Sequence, residues 1–255
     1  MARIGLVALA ATGALALGAV AAWLLVLRVT AEPASVAGAV TSFREETETM
    51  QNGESFVPEG VYVYVTQGRE RTDALTGVTH PYPARTTVTV TRHECGVRMR
   101  WDGLEGRSTQ WVFCVTPAGW TLESQDERHT FFGRTERTTY TCSNALVRPA
   151  DDSVGPVSSV ACSTGAAEEL GETHVVGLGL ISVGGIRVET VHLRRTSSFE
   201  GVIRGAARHD LWLARETGVP VRIVMTSRTT NDSPVGDVHY EEDVSLQLTS
   251  LTPRR

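Results

Sequence analysis

The sequence predicts a mainly β extracytoplasmic domain, a large curved antiparallel sheet with few short helices, preceded by one N-terminal transmembrane helix. Three observations carry this. Ile4 to Leu27 is a run of 24 residues with no charge and only Thr12 carrying a polar side chain. From Gly60 onward the apolar period is two. No long helical pattern separates the period-two runs, so the crossovers that a parallel sheet requires are missing and antiparallel pairing remains.

As a helix rising about 1.5 Å per residue, the first run is about 36 Å long, enough to span a hydrocarbon core of about 30 Å with some tilt. It exceeds the apolar core of about 7–15 residues found in cleavable signals. Arg3 and the α-amino group favour an N-terminus that stays inside, which exports the rest. The alternative is a cleaved signal, for which Val29-Thr30-Ala31 offers small residues. The chain then divides into an anchor or signal segment (1–31), a juxtamembrane helix or linker (32–55) and a β-rich extracytoplasmic domain (56–255). Within 35–50, Ser35 can cap a short amphipathic helix on which Val36, Val40 and Phe43 share a face.

Strands follow. Val61, Val63 and Val65 alternate with Tyr62 and Tyr64; Val88 and Val90 with Thr87, Thr89 and Thr91; Val221, Ile223 and Met225 with Arg222, Val224 and Thr226; Val244, Leu246 and Leu248 with Ser245, Gln247 and Thr249. Further strands are expected over 92–101, 108–115, 119–125, 130–141, 156–163, 173–180, 185–197 and 200–213, with Gly and Asp/Asn turns between them. Roughly eleven strands in about 200 residues suit one large curling sheet or a sandwich.

Cys95, Cys114, Cys142 and Cys162 all lie in the exported part, where an even count implies two disulfides and three possible connectivities. Pairing Trp101 with Ser108 across the turn at 102–107 sets Cys95 opposite Cys114 and gathers Cys95, Val97, Met99 and Trp101 on one face. That register selects Cys95–Cys114 and Cys142–Cys162. Each closure is worth roughly 3 kcal/mol in the loop-entropy picture. Zinc binding by close cysteine pairs is not expected, since the nearest spacing is 19.

Asp210-Leu211-Trp212-Leu213-Ala214-Arg215-Glu216-Thr217-Gly218-Val219-Pro220-Val221-Arg222 resembles the strand, turn and strand of the LolA/LppX/RseB-like half-barrels, in which a Trp strand, a Thr-Gly turn and a Pro-led strand recur. The strands up to Leu248-Thr249-Ser250-Leu251-Thr252-Pro253 also resemble the end of such a domain. The resemblance implies a half-barrel wrapped around helices, with a concave apolar face that holds lipid or an acylated polypeptide. Val221, Ile223, Met225, Val244, Leu246 and Leu248 are the expected ligand-facing residues. The competing expectation is a concave side filled by the protein's own side chains.

Composition removes several functions. All 24 basic residues are Arg, so a P-loop, a Ser-x-x-Lys acylase and a pyridoxal Schiff base are excluded for want of a lysine. Beyond residue 31, 22 Arg face 29 acids, a net −7, which leaves no basic field for nucleic acid. Ser182, in Leu180-Ile181-Ser182-Val183-Gly184, lacks the first Gly of a nucleophile elbow, and Gly177-Leu178-Gly179 with Gly184-Gly185 lacks a dinucleotide fingerprint. The seven His are scattered; Asp151-Asp152 and Glu241-Glu242-Asp243 read as solvated acidic turns. The expectation is a membrane-anchored, non-catalytic domain without cofactor or metal that binds a lipid, a lipoprotein or a partner protein. The alternatives are a structural or assembly factor of the envelope and an extracytoplasmic hydrolase.

Overall fold

A computed structural model describes residues 32–48, 56–73, 77–131, 134–143, 145–232 and 236–255. The anchor expected over 4–27 lies outside them; among the described residues no helix is long and apolar enough to cross a membrane. Among the described residues one helix, α1 (Val36–Glu48), precedes fourteen strands: β1 (Gly60–Thr72), β2 (Val78–Pro81), β3 (Arg85–His93), β4 (Gly96–Leu104), β5 (Arg107–Thr116), β6 (Gly119–Phe131), β7 (Arg134–Ser143), β8 (Leu146–Pro149), β9 (Gly155–Ser163), β10 (Ala167–Val183), β11 (Ile186–Gly201), β12 (Ile203–Ala214), β13 (Pro220–Asn231) and β14 (Val238–Leu248).

The half-barrel expectation is corrected here: the sheet closes. β1 pairs with β14 from Tyr64↔Leu248 to Thr72↔Tyr240, so twelve strands form a continuous antiparallel ring, with β2 beside β1 and β8 beside β6. A half-barrel needs helices on its concave face. The one helix described packs on the outside, where Ala39 and Phe43, with Val40 beside them, cover Val61. Among the described residues nothing helical fills the interior, and closure removes the two open edges that the sheet would otherwise present. Ser35 does cap α1, its Oγ accepting from Gly38 N at 2.9 Å.

Consecutive hairpins place the β3–β4, β5–β6, β10–β11 and β12–β13 turns on one rim, termed upper, and the β4–β5, β6–β7, β11–β12 and β13–β14 turns on the lower rim. The chain enters at the lower rim, where Glu105 N donates to Glu32 O at 2.9 Å. It climbs the wall as α1 and closes the upper rim with Phe56 and Val57. Phe56 meets Trp120 edge-on at 4.6 Å, and Val57 is wholly buried. Gly218 has φ +69° and lies so close beneath Trp120 that a Cβ would stand 2.3 Å from the ring, which is why this turn needs glycine.

Both disulfides form as expected, Cys95–Cys114 and Cys142–Cys162. The register argument for the first is off by one residue. Gly96, not Cys95, lies opposite Cys114, and Trp101 lies opposite Thr109 rather than Ser108. The irregularity between Asp102 and Leu104 absorbs the extra residue. Its consequence is large, because a one-residue slip exchanges the faces of a strand. Trp111 and Phe113 therefore point inward, opposite Met99 and Val97. Cys142 and Cys162 are direct cross-strand partners in β7 and β9. Two short strands, β2 and β8, carry no period-two signal in the sequence, and Tyr62 and Tyr64 turn inward while Val65 is exposed.

The outward positions carry Arg98, Arg100, Arg194, Arg208, Arg222 and Arg228, several paired with Asp. A barrel immersed in lipid has the reverse arrangement, an apolar band outside and polar groups within.

Candidate functional site

The interior changes character from upper to lower rim. Met99, Trp111, Phe113 and Leu122 on one wall face Leu193, Leu213, Ile223 and Met225 on the other around a cavity of about 50 Å³. At about 10–15 Å³ of such space per water molecule, it holds a few waters and no acyl chain. All six residues expected on the concave face are buried in one cluster, between 0 and 3 % exposed. Ile223 and Met225 line the cavity, whereas Val221, Val244, Leu246 and Leu248 pack within the core around it. The cavity's polar lining is Thr173, Arg195 and His209. Thr173 Oγ1 is buried with no hydrogen-bond partner among the described residues.

Below the cavity lies a charged layer that sequence reasoning missed. Arg195 Nη2 donates to Gln125 Oε1 at 2.7 Å and to His209 Nδ1 at 2.9 Å, and stands 3.4 Å from Glu169, which also accepts from Ser197. Gln125 bridges onward to Glu127 at 2.8 Å. Nearer the lower rim Arg107 lies between Glu70 (3.8 Å) and Glu242 (3.4 Å), with Tyr82 and Tyr240 donating to the same carboxylates. His80 and His129 reach Glu70 and Glu127 at 3.2 and 3.6 Å. Four carboxylates thus face two guanidiniums, with the imidazoles beside the surplus.

These environments set the protonation states. Burial alone would raise Glu127, but His129 and Arg107 bring it down to about 2. Burial likewise works against Glu70, and His80 and Arg107 overcome it, leaving its pKa below the ordinary value. Enclosure and then the Arg195 charge push His209 down to about 3, so it accepts as a neutral ring. Burial and the Glu242 charge push the Tyr82 and Tyr240 hydroxyls well up, keeping both as donors.

The remaining sequence candidates are dispersed. Glu242 is not in a solvated turn: it is 4 % exposed on β14, with its side chain inside the barrel. Asp152 is buried too, clamped by Arg148 at 2.7 Å and Arg215 at 3.1 Å. Only exposed Asp151 fits the expected acidic turn. Ser182 is on the β10–β11 hairpin opposite Arg187, while His192, further along β11, is bonded to Asp210 at 2.7 Å and stacked on Trp212. That hairpin also exposes Val176, Leu178, Leu180 and Ile186, between 41 and 62 %. Its other side packs down, Val183 and Val188 being buried and Gly184 lying against the Thr249 carbonyl.

Fold and interior define a class: an up-and-down, twelve-stranded antiparallel barrel, disulfide-bonded as suits an oxidising extracytoplasmic compartment, with a packed interior. No protein-family model and no curated protein matches the chain. Among solved structures, the hypothetical lipoprotein YmcC of Escherichia coli K12 is similar at 10% identity and a TM-score of 0.32, over 86% of this chain and 100% of that one. A likeness this weak carries neither fold nor function across, and the LolA-like relationship has no support from it.

Proposed function

We propose that the chain is a non-catalytic envelope protein, tethered at its lower rim through residues 4–27, whose barrel presents the upper-rim β10–β11 hairpin to an extracytoplasmic partner protein. The observation that supports this reading is the contrast between a nearly filled interior and the exposed apolar row of Val176, Leu178 and Leu180. The row sits at the rim opposite Glu32, so the membrane that holds the anchor is not what covers it. Exposed Arg187 and Glu189, opposite Ser182 and Leu180 on the same face of the hairpin, give the row the polar border typical of a protein interface. Non-catalytic action fits the way the buried histidines and carboxylates are spent on one another.

A photoreactive residue at Leu178 or Leu180 tests it in whole membranes. Both positions should link to the same protein, Val65 on another part of the outer wall should not, and Val176→Ser with Leu178→Ser should lower the yield from a probe at Leu180. Adducts with phospholipid alone, or equal yields from Val65, would rule the interface out. The unpartnered Thr173 hydroxyl favours a second reading, a small amphipathic guest in the cavity with Ile223 and Met225 against its apolar end. Native mass spectrometry of the purified protein distinguishes the two by the presence of a bound small molecule.

A further inference from the structure

Near the upper rim the outer wall gathers four donors that lie on four different segments. His93 ends β3, Cys95 lies in the turn to β4, Cys114 is on β5 and Glu123 is on β6. Val112 pairs with Ser124 and Phe113 with Leu122, so Glu123 is the extra residue of a bulge, a device that re-aims a side chain. Its Oε2 stands 3.4 Å from both sulfurs and 3.8 Å from His93 Nδ1, which is itself 3.4 Å from Cys95 Sγ. A tetrahedral zinc ion with bonds of about 2.0–2.3 Å holds its ligands about 3.3–3.8 Å apart. These four donor–donor edges already have that spacing. Of the two edges left, the sulfur–sulfur one is closed by a covalent bond. His93, Cys95 and Glu123 form a group whose donor atoms all lie within 4.8 Å of one another.

We propose that reducing Cys95–Cys114 converts this cluster into a zinc site of two thiolates, one imidazole and one carboxylate. The reductant is a dithiol: its two S–H bonds break and one S–S bond forms in it, while the Cys95–Cys114 bond takes the two electrons and two protons to give two thiols. Zn²⁺ then displaces both thiol protons and is held by Cys95, Cys114, His93 Nδ1 and Glu123 Oε2. Reductant and ion both have access, since His93 is 25 % and Glu123 50 % exposed. The link between the β3–β4 turn and β5 therefore persists in either redox state, covalent in one and metal-mediated in the other. Sequence spacing gave no hint of this, because the close pairs required for zinc are made by strand neighbours instead of chain neighbours.

Cobalt(II) is the probe. The full-length protein, reduced with a phosphine, should bind one Co²⁺ per chain with the visible bands of a tetrahedral ion and a thiolate-to-cobalt band in the near ultraviolet, and Zn²⁺ should bleach both. The oxidised protein should give neither. His93→Ala and Glu123→Gln, both on the outer surface, should each weaken binding by about tenfold or more, and Cys142→Ser with Cys162→Ser should leave the bands in place. The proposal fails if the reduced protein gives no tetrahedral bands, if they survive Cys95→Ser with Cys114→Ser, or if reduction abolishes the β-sheet circular dichroism.

Discussion

His209 accepts from Arg195 Nη2 at 2.9 Å, lines the cavity, and has a pKa of about 3. Its folded value lies below the unfolded one of about 6.5, so the unfolded chain takes up the proton first and stability falls as pH drops from 6.5 toward 3. Glu127, depressed to about 2, adds its own loss only below about pH 4.5. Between pH 6.5 and 4.5 His209 alone should therefore cost up to about 1.4 kcal/mol per pH unit in urea unfolding. His209→Gln, which keeps an acceptor for Arg195, should flatten that slope, leaving a smaller part from His192, whose burial shifts it the same way. An unchanged slope would acquit His209. Met225, 3 % exposed on the cavity wall, tests how full the interior is. Met225→Glu buries a charge without a partner and should destabilise the protein by several kcal/mol. A stably folded variant that has lost binding of an apolar dye would instead favour the guest-binding reading.

At the scale of elements, the seam between β1 and β14 is what turns a sheet into a barrel. Gly68 sits in it opposite Val244 with φ +137°, and a Cβ there would stand 2.1 Å from the Asp243 carbonyl. Gly68→Ala should cost about 1–3 kcal/mol in chemical unfolding from the strained backbone, and more if the seam cannot shift. A neutral result would mean that closure tolerates local fraying. Most elements were legible before the structure: period-two runs locate β1, β3, β13 and β14, and Ser35 with Val40 and Phe43 locates α1. The one-residue register error in β4–β5 arose because a turn-rich sequence does not say where its bulge falls. That slip decided whether Trp111 and Phe113 pointed to solvent or to the cavity.

For the whole molecule, entry of the chain at Glu32 on the lower rim and the apolar row on the upper rim give the barrel a direction. If residues 4–27 hold it in a membrane, the native protein should stay with membranes through a carbonate wash, and a chain begun at Glu32 should leave with the supernatant. N-terminal sequencing of native material that begins at Glu32 would overturn the anchor. The charged interior bears on the same scale. Arg107 belongs to β5, Glu70 to β1 and Glu242 to β14, so the layer forms only once the ring is complete. Buried ion pairs of this kind add little net stability, but breaking one is costly, which ties the correct closure to the correct pairing of charges.

The sequence by itself determined the strand-rich class, the antiparallel sense, the helix cap and the burial of Val221, Ile223, Met225, Val244, Leu246 and Leu248. Each of these follows from residue spacing along the chain, because alternation and capping act between near neighbours. Only the tertiary structure decided that the sheet closes, that Glu242 faces Arg107 inside it, and that Glu123 stands beside His93 and the Cys95–Cys114 bond. Closure joins Tyr64 to Leu248, and such contacts depend on the twist, stagger and bulges accumulated over all twelve strands, none of which a local period records.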